Sequence, residues 1–129
     1  MIVKMANLIA FNEFYESMAD KKLPLKLLYP LKKMHKKVAE EFAVCQECLQ
    51  VIIETYGEKD ENGNFVLTED QKGICIKQDK LQECQEKILE LEMTDIEIPE
   101  EYRVPLFEFE GITEMTVAQF DMIAVFFKD

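Results

Sequence analysis

The side chains in this chain best suited to chemistry are four cysteines, one histidine and a short run rich in Asp, Asn and Gly. Cys45-Gln46-Glu47-Cys48, with Cys75 and Cys84, offers thiols for a zinc ion or a redox pair. On a helical hairpin turning near residue 63, Cys45 falls opposite residue 81, Cys48 opposite residue 78, and Cys84 opposite Phe42. Cys75 then lies nine residues from Cys84 along one helix, about 13 Å away. One tetrahedral ion with Zn–S bonds near ~2.3 Å cannot reach both. Cys45 and Cys84 also fit the apolar seam, where a thiol packs as a small hydrophobe. A redox pair of Cys45 and Cys48 would sit in mid-helix, away from the helix N-terminus that lowers a thiol pKa. The thiols are therefore expected to be structural, with no metal and no cofactor.

Asp60-Glu61-Asn62-Gly63-Asn64 resembles the opening of a calcium loop. With Asp60, Asn62 and Asn64 as the first three ligands, the obligatory Gly position holds Phe65, and Gln71 stands where a bidentate Glu is needed. The Asn-Gly dipeptide is better read as a tight turn. His35, in Lys32-Lys33-Met34-His35-Lys36-Lys37, has cationic neighbours that hold it neutral and no orienting partner for general-base work. It is expected on a solvated helix face. The Lys run itself is either that same face or a docking patch for an acidic partner or for the acidic part of a second copy. There is no P-loop, Rossmann glycine pattern, nucleophile elbow or zinc-protease motif. No catalytic residue is assigned, and the chain is expected not to be an enzyme.

Charge is the remaining chemical feature. The formal charge is −11, and it is unevenly spread: residues 1–40 carry +4 and the other 89 carry −15. Such a surplus of acid excludes ordinary phosphate-neutralising nucleic-acid binding, and it can steer a basic partner. The densest acidic stretch is 90–114, with nine acids and one base, Arg103. Alternation at Glu97-Ile98 and at Phe107-Glu108-Phe109-Glu110 puts acids on one side of an extended segment and apolar groups on the other. A row of carboxylates at strand spacing can mimic a phosphate track or fill a basic groove. The simpler reading is an edge strand kept soluble by its acids. Glu92, Asp95, Glu97, Glu100, Glu101, Glu108, Glu110 and Glu114 are the candidate partner-binding residues.

The elements that must position these residues are mostly helical. At 129 residues the chain fits a single domain, 1–129. Residues 1–6 alternate as a short strand, and Asn7 is placed to cap a helix over about 8–20 with an apolar face of Leu8, Phe11, Phe14 or Tyr15, and Met18. Pro30 breaks the next helix, leaving one short turn at 24–29 and a restart near 31, with a kink as the alternative. From there Leu31, Met34, Val38, Phe42, Cys45, Leu49, Ile52 and Tyr56 alternate spacings of three and four, the seam of a helix about 40 Å long. Gly57 ends it, and the Asn-Gly turn follows. Thr68 and Gln71 form a capping box for a second long helix over about 69–92, on which Ile74, Leu81, Cys84, Ile88 and Leu91 continue the seam. Together these make a long antiparallel helical hairpin, about 31–92. An acidic extended segment, or a short β-hairpin, covers about 94–114, with Pro99 and Pro105 as punctuation. Thr116 and Gln119 then cap a final helix over about 117–127, with Phe120, Ile123, Ala124 and Phe127 on its buried face. The fold class is mainly α (α+β).

Two stretches carry a resemblance. Lys21-Lys22-Leu23-Pro24-Leu25-Lys26-Leu27 leads into a Lys-rich helix, and Glu54-Thr55-Tyr56-Gly57-Glu58-Lys59-Asp60-Glu61-Asn62-Gly63-Asn64 precedes a Glu-rich helix and an Ile-Glu-Ile segment. Over about residues 5–98 the chain resembles a group of small proteins encoded by phages and prophages of Firmicutes-type bacteria. Pro30 departs from that pattern, in which an unbroken helix is expected. The resemblance carries over no activity and no functional residues. It implies a phage context and a protein that binds something during infection.

The resulting expectation is a non-enzymatic phage accessory protein that binds a protein partner with a basic surface, such as a host defence nuclease or effector. The alternative is a virion or tail-assembly component that oligomerises through the hairpin. The start of the chain lacks a secretory signal pattern, no apolar run spans a bilayer, and the expected location is the bacterial cytoplasm during infection, or the virion if the alternative holds. No direct nucleic-acid or membrane binding is expected.

Overall fold

A computed structural model of the chain describes residues 1–106 and 114–128. The fold is mainly α with a few very short strands, in the order β1 (Ile2–Val3), α1 (Met5–Ser17), α2 (Leu25–Tyr56), α3 (Leu81–Glu92), β2 (Ile96–Glu97), β3 (Val104–Pro105), α4 (Val117–Ile123) and β4 (Phe127–Lys128). The residues group into two compact units, Met1–Ala43 with Thr94–Asp129, and Val44–Met93, so that α2 passes from one into the other.

The first unit holds most of the buried side chains. Leu8, Phe11, Phe14 and Met18 recur at helical spacing on α1 and are all buried, as their periodicity predicts. On α2, Leu27, Leu31, Met34 and Val38 are at most 1% exposed. Two aromatic contacts tie the chain end to α1: Phe11 lies 4.9 Å from Phe126 between ring centroids, and Phe14 meets Phe127 edge-on at 5.6 Å. Two small strand pairs complete the unit. β1 and β2 are antiparallel, with Ile2 opposite Glu97 and Val3 opposite Ile96, whereas β3 and β4 are parallel, with Val104 opposite Phe127.

Three expectations need correcting here. Asn7 is not the cap of α1 but sits in its first turn, where its side-chain Oδ1 accepts the backbone N–H of Lys4 at 2.8 Å. A side chain reaching back in this way satisfies a donor outside the helix, and the helix starts at Met5, three residues earlier than expected. Nor does Pro30 break α2, which runs unbroken from Leu25. Pro30 forfeits only one backbone donor, and burial of Leu27 and Leu31 on either side of it holds the helical path. The final helix ends at Ile123 and tightens into a 3₁₀ turn, Ala124–Phe126, before β4. Its cap is as expected: Thr116 Oγ1 accepts from Gln119 N–H at 3.1 Å, and Gln119 Oε1 accepts from Thr116 N–H at 2.8 Å.

The second unit is the helical arm and its tip. The expected second helix over 69–92 is only half present: α3 begins at Leu81, after a 3₁₀ turn at Gln78–Lys80. Residues 57–77 form an irregular β-rich tip, with antiparallel bridges pairing Gly57 with Ile76, Lys59 with Phe65, and Leu67 with Ile74. Thr68 opens a turn instead of a helix. Its hydroxyl donates to Asp70 and accepts from Gly73 N–H at 3.2 Å, and Gln71 takes a positive φ of 61°. Side chains of this kind compete with helix hydrogen bonding. The turn at Asp60–Asn64 is where the Asn-Gly pair predicts it. Gly63 has φ 81°, and Asp60 Oδ1 accepts from Asn62 and Asn64 N–H at 2.9 and 3.0 Å.

Candidate functional site

The acidic segment is attached to the core by its apolar residues. Ile98 and Val104 are both fully buried, while Glu97, Glu100 and Glu101 between and beside them are exposed. The β1–β2 pairing fixes the start of this run. The N-terminal ammonium donates to the Ile98 carbonyl at 2.8 Å, and Ile98 N–H donates to the Met1 carbonyl at 2.9 Å. The Leu106 N–H donates to the Lys128 carbonyl at 2.8 Å and fixes the other end. Burial of apolar side chains at both ends thus holds the backbone between them, and the intervening carboxylates project from a fixed frame.

The segment is not a continuous extended track. The alternation expected at Glu97-Ile98 ends there, because Pro99 leads into a 3₁₀ turn at Glu100–Tyr102, and the alternation expected at 107–110 lies outside the described residues. Glu100 and Glu101 are therefore presented by a turn. Asp95 pairs with the Lys4 ammonium, and Glu100 lies 3.8 Å from the Arg103 guanidinium. These ion pairs are largely exposed and contribute little stability. Glu92 is the last residue of α3 and belongs to the Val44–Met93 unit, where it is exposed. Glu108 and Glu110 lie outside the described residues. Glu114 is exposed just before α4 and lines a groove of about 380 Å³ between α1 and α4, whose opposite wall carries Glu13.

The cysteines are all unbridged. Cys45 and Cys84 are buried at 6% and 2% exposure, and desolvation pushes the Cys84 thiol above its ordinary pKa. Cys48 is exposed on α2. Cys75 is not on a helix at all but in the tip, where its Sγ lies 3.5 Å from the Leu67 carbonyl. Among the described residues no three His, Cys, Asp or Glu side chains gather in a way that would hold a metal ion.

His35 is not simply a solvated residue. Its ring stacks on Tyr15, with centroids 3.7 Å apart and planes 6° from parallel. Partial burial and the Lys32 charge both lower its pKa, against an opposing pull from Glu16. Lys32 Nζ in turn donates to the Tyr15 hydroxyl at 3.1 Å. Burial, rather than the lysine charges alone, is the first cause of a neutral imidazole. A sequence shows the lysines but not the stacking partner on another helix.

No helix among the described residues is long and apolar enough to cross a membrane. Comparison of the chain with family models, curated proteins and solved structures gives no match.

Proposed function

We propose that the protein is a non-enzymatic phage accessory protein that acts by binding a protein partner with a basic surface, for which a host defence nuclease or effector is a suitable class. The observation that carries this reading is the set of exposed carboxylates at Glu97, Glu100 and Glu101 on a backbone run anchored by buried Ile98 and Val104. A preorganised anionic patch loses little entropy on binding, and complementary charge speeds encounter and excludes wrong partners. The chain's net charge of −11 adds long-range attraction to the same class of partner.

Capture from a bacterial host lysate on the full chain, compared with an E97K/E100K/E101K variant, tests it. The expected result is a basic protein retained by the native chain, released by salt, and missing from the variant. Retention of the same protein by both chains, insensitive to salt, would rule the reading out.

One observation favours the second reading, a virion or tail-assembly role through the arm. Within the Val44–Met93 unit, Val44, Val51, Leu89 and Met93 are each more than half exposed. Apolar side chains left in water at this density suit self-association. Light scattering coupled to size exclusion reads it directly: a defined oligomer supports it, and a strict monomer across concentrations excludes it.

A further inference from the structure

The groove between α1 and α4 is built from the sequence in an identifiable way. The two helices meet at one end, where Asn7 Nδ2 donates to the Met122 carbonyl at 2.8 Å. Away from that tie, the facing positions are small: Ala10 and Ser17 on α1, Ala118 on α4. Short side chains at a helix–helix contact leave space, and here it amounts to about 380 Å³, within the usual range for a ligand-binding cleft. The floor is apolar, formed by Phe14 and Ile123 at 8% and 2% exposure. Met115 and Met122 line it too, and methionine is the side chain that best reshapes itself around an incoming group. Two carboxylates, Glu13 and Glu114, line the same groove, and among the described residues that line it none is Lys or Arg.

We infer that this groove seats a bulky apolar side chain of a partner segment that carries Lys or Arg on either side of that side chain. The apolar floor takes the anchor, and Glu13 and Glu114 take the flanking cations. This extends the reading of the partner as basic and rests on it. It adds a place where shape, as well as charge, selects the partner. A Lys-rich surface with no apolar anchor satisfies the carboxylates but leaves the space between Ala10, Ala118 and the two methionines unfilled, so it binds more weakly.

The probe is a fluorescein-labelled peptide of alternating Lys and Gly with a central Phe, titrated into the full chain by anisotropy. Two controls replace the Phe by Ser, or every Lys by Glu. Methyl-labelled methionine spectra report the location. The expected result is binding of the Phe peptide with shifts at the Met115 and Met122 methyls, and roughly ten-fold weaker binding of the Ser peptide. A118W, which plugs the groove from an exposed position, and E13K/E114K are each expected to weaken the Phe peptide about ten-fold. E61K/E69K, on the tip, carries the same charge change and is expected to leave affinity in place.

Equal affinity for the Phe and Ser peptides, unchanged in A118W, would refute the groove while leaving a basic partner in place. Binding of neither Lys-rich peptide refutes both readings. A dimer that A118W dissolves would show that a second copy occupies the groove, and it too refutes the proposal.

Discussion

The rings of Tyr15 on α1 and His35 on α2 lie parallel at 3.7 Å between centroids, which joins these two helices through a stack with Lys32 on its edge. Protonating His35 puts a second cation beside Lys32 and costs its partial desolvation. Its folded pKa is lowered, so the unfolded chain binds the extra proton first. Stability is then fully present above the ordinary histidine pKa and is lost as pH falls from there through the folded value. Thermal melts should show a greater loss between neutral and mildly acidic pH in the native chain than in H35F, which keeps a stackable ring and cannot titrate. Identical pH dependence in the two chains would remove His35 from the account.

Asn7 makes two bonds with separable consequences. Its Oδ1 accepts from Lys4 N–H and its Nδ2 donates to the Met122 carbonyl, both at 2.8 Å. N7D keeps the acceptor and loses only the link to α4, an expected cost of about 1 kcal/mol. N7A loses both, and about 2 kcal/mol is expected. Chemical denaturation distinguishes them; equal losses would mean that the α4 link contributes alone.

Gly57 illustrates a role hidden from sequence. Its position after a long helix predicts a left-handed cap, yet among the described glycines only Gly63 has a positive φ. What Gly57 provides is close approach: an added Cβ would lie 2.6 Å from the Ile53 carbonyl oxygen and 2.7 Å from the Phe65 ring. G57A is expected to cost about 2 kcal/mol by overpacking. At Gly73 the nearest atom would be Thr68 Cγ2 at 3.4 Å, so G73A is expected to fold with native stability. The pair of denaturation midpoints checks this, and an undisturbed G57A would contradict the tip geometry.

The thiols should differ sharply in reactivity. Cys48 is exposed, whereas Cys84 is buried with a raised pKa. Pulse alkylation followed by mass spectrometry is expected to label Cys48 first and Cys84 last. Equal labelling would show that the Val44–Met93 unit opens readily.

What the sequence made legible was local. The Thr116–Gln119 cap, the turn at Asn62-Gly63 and the buried face of α1 each depend on residues within a few positions of one another, and each is present. The seam on α2 was legible where core covers it, at Leu31, Met34 and Val38, but Phe42, Leu49 and Ile52 are only half-buried. Residues 69–80 misled because Ile74 falls at a seven-residue spacing before Leu81 and Cys84 is on the seam, a pattern that a bridged tip followed by a short helix satisfies equally. Phe126 escaped the expected buried face, since a 3₁₀ turn replaces the last helical turn and redirects it onto Phe11. For the candidate site, the acids were legible as types, but their frame was not. Burial of Ile98 and Val104 and the turn at Glu100–Tyr102 depend on pairing with Met1 and with Lys128, at the two ends of the chain.

Attraction of a basic partner to Glu97, Glu100 and Glu101 is tested most directly by the association rate of the captured partner as ionic strength rises. Screening shortens the Debye length from about 10 Å at 0.1 M to about 3 Å at 1 M salt. The expected result is an association rate that falls steeply over that range and is reduced at low salt in E97K/E100K/E101K, with dissociation changed less. An association rate independent of salt and identical in the variant would contradict the account.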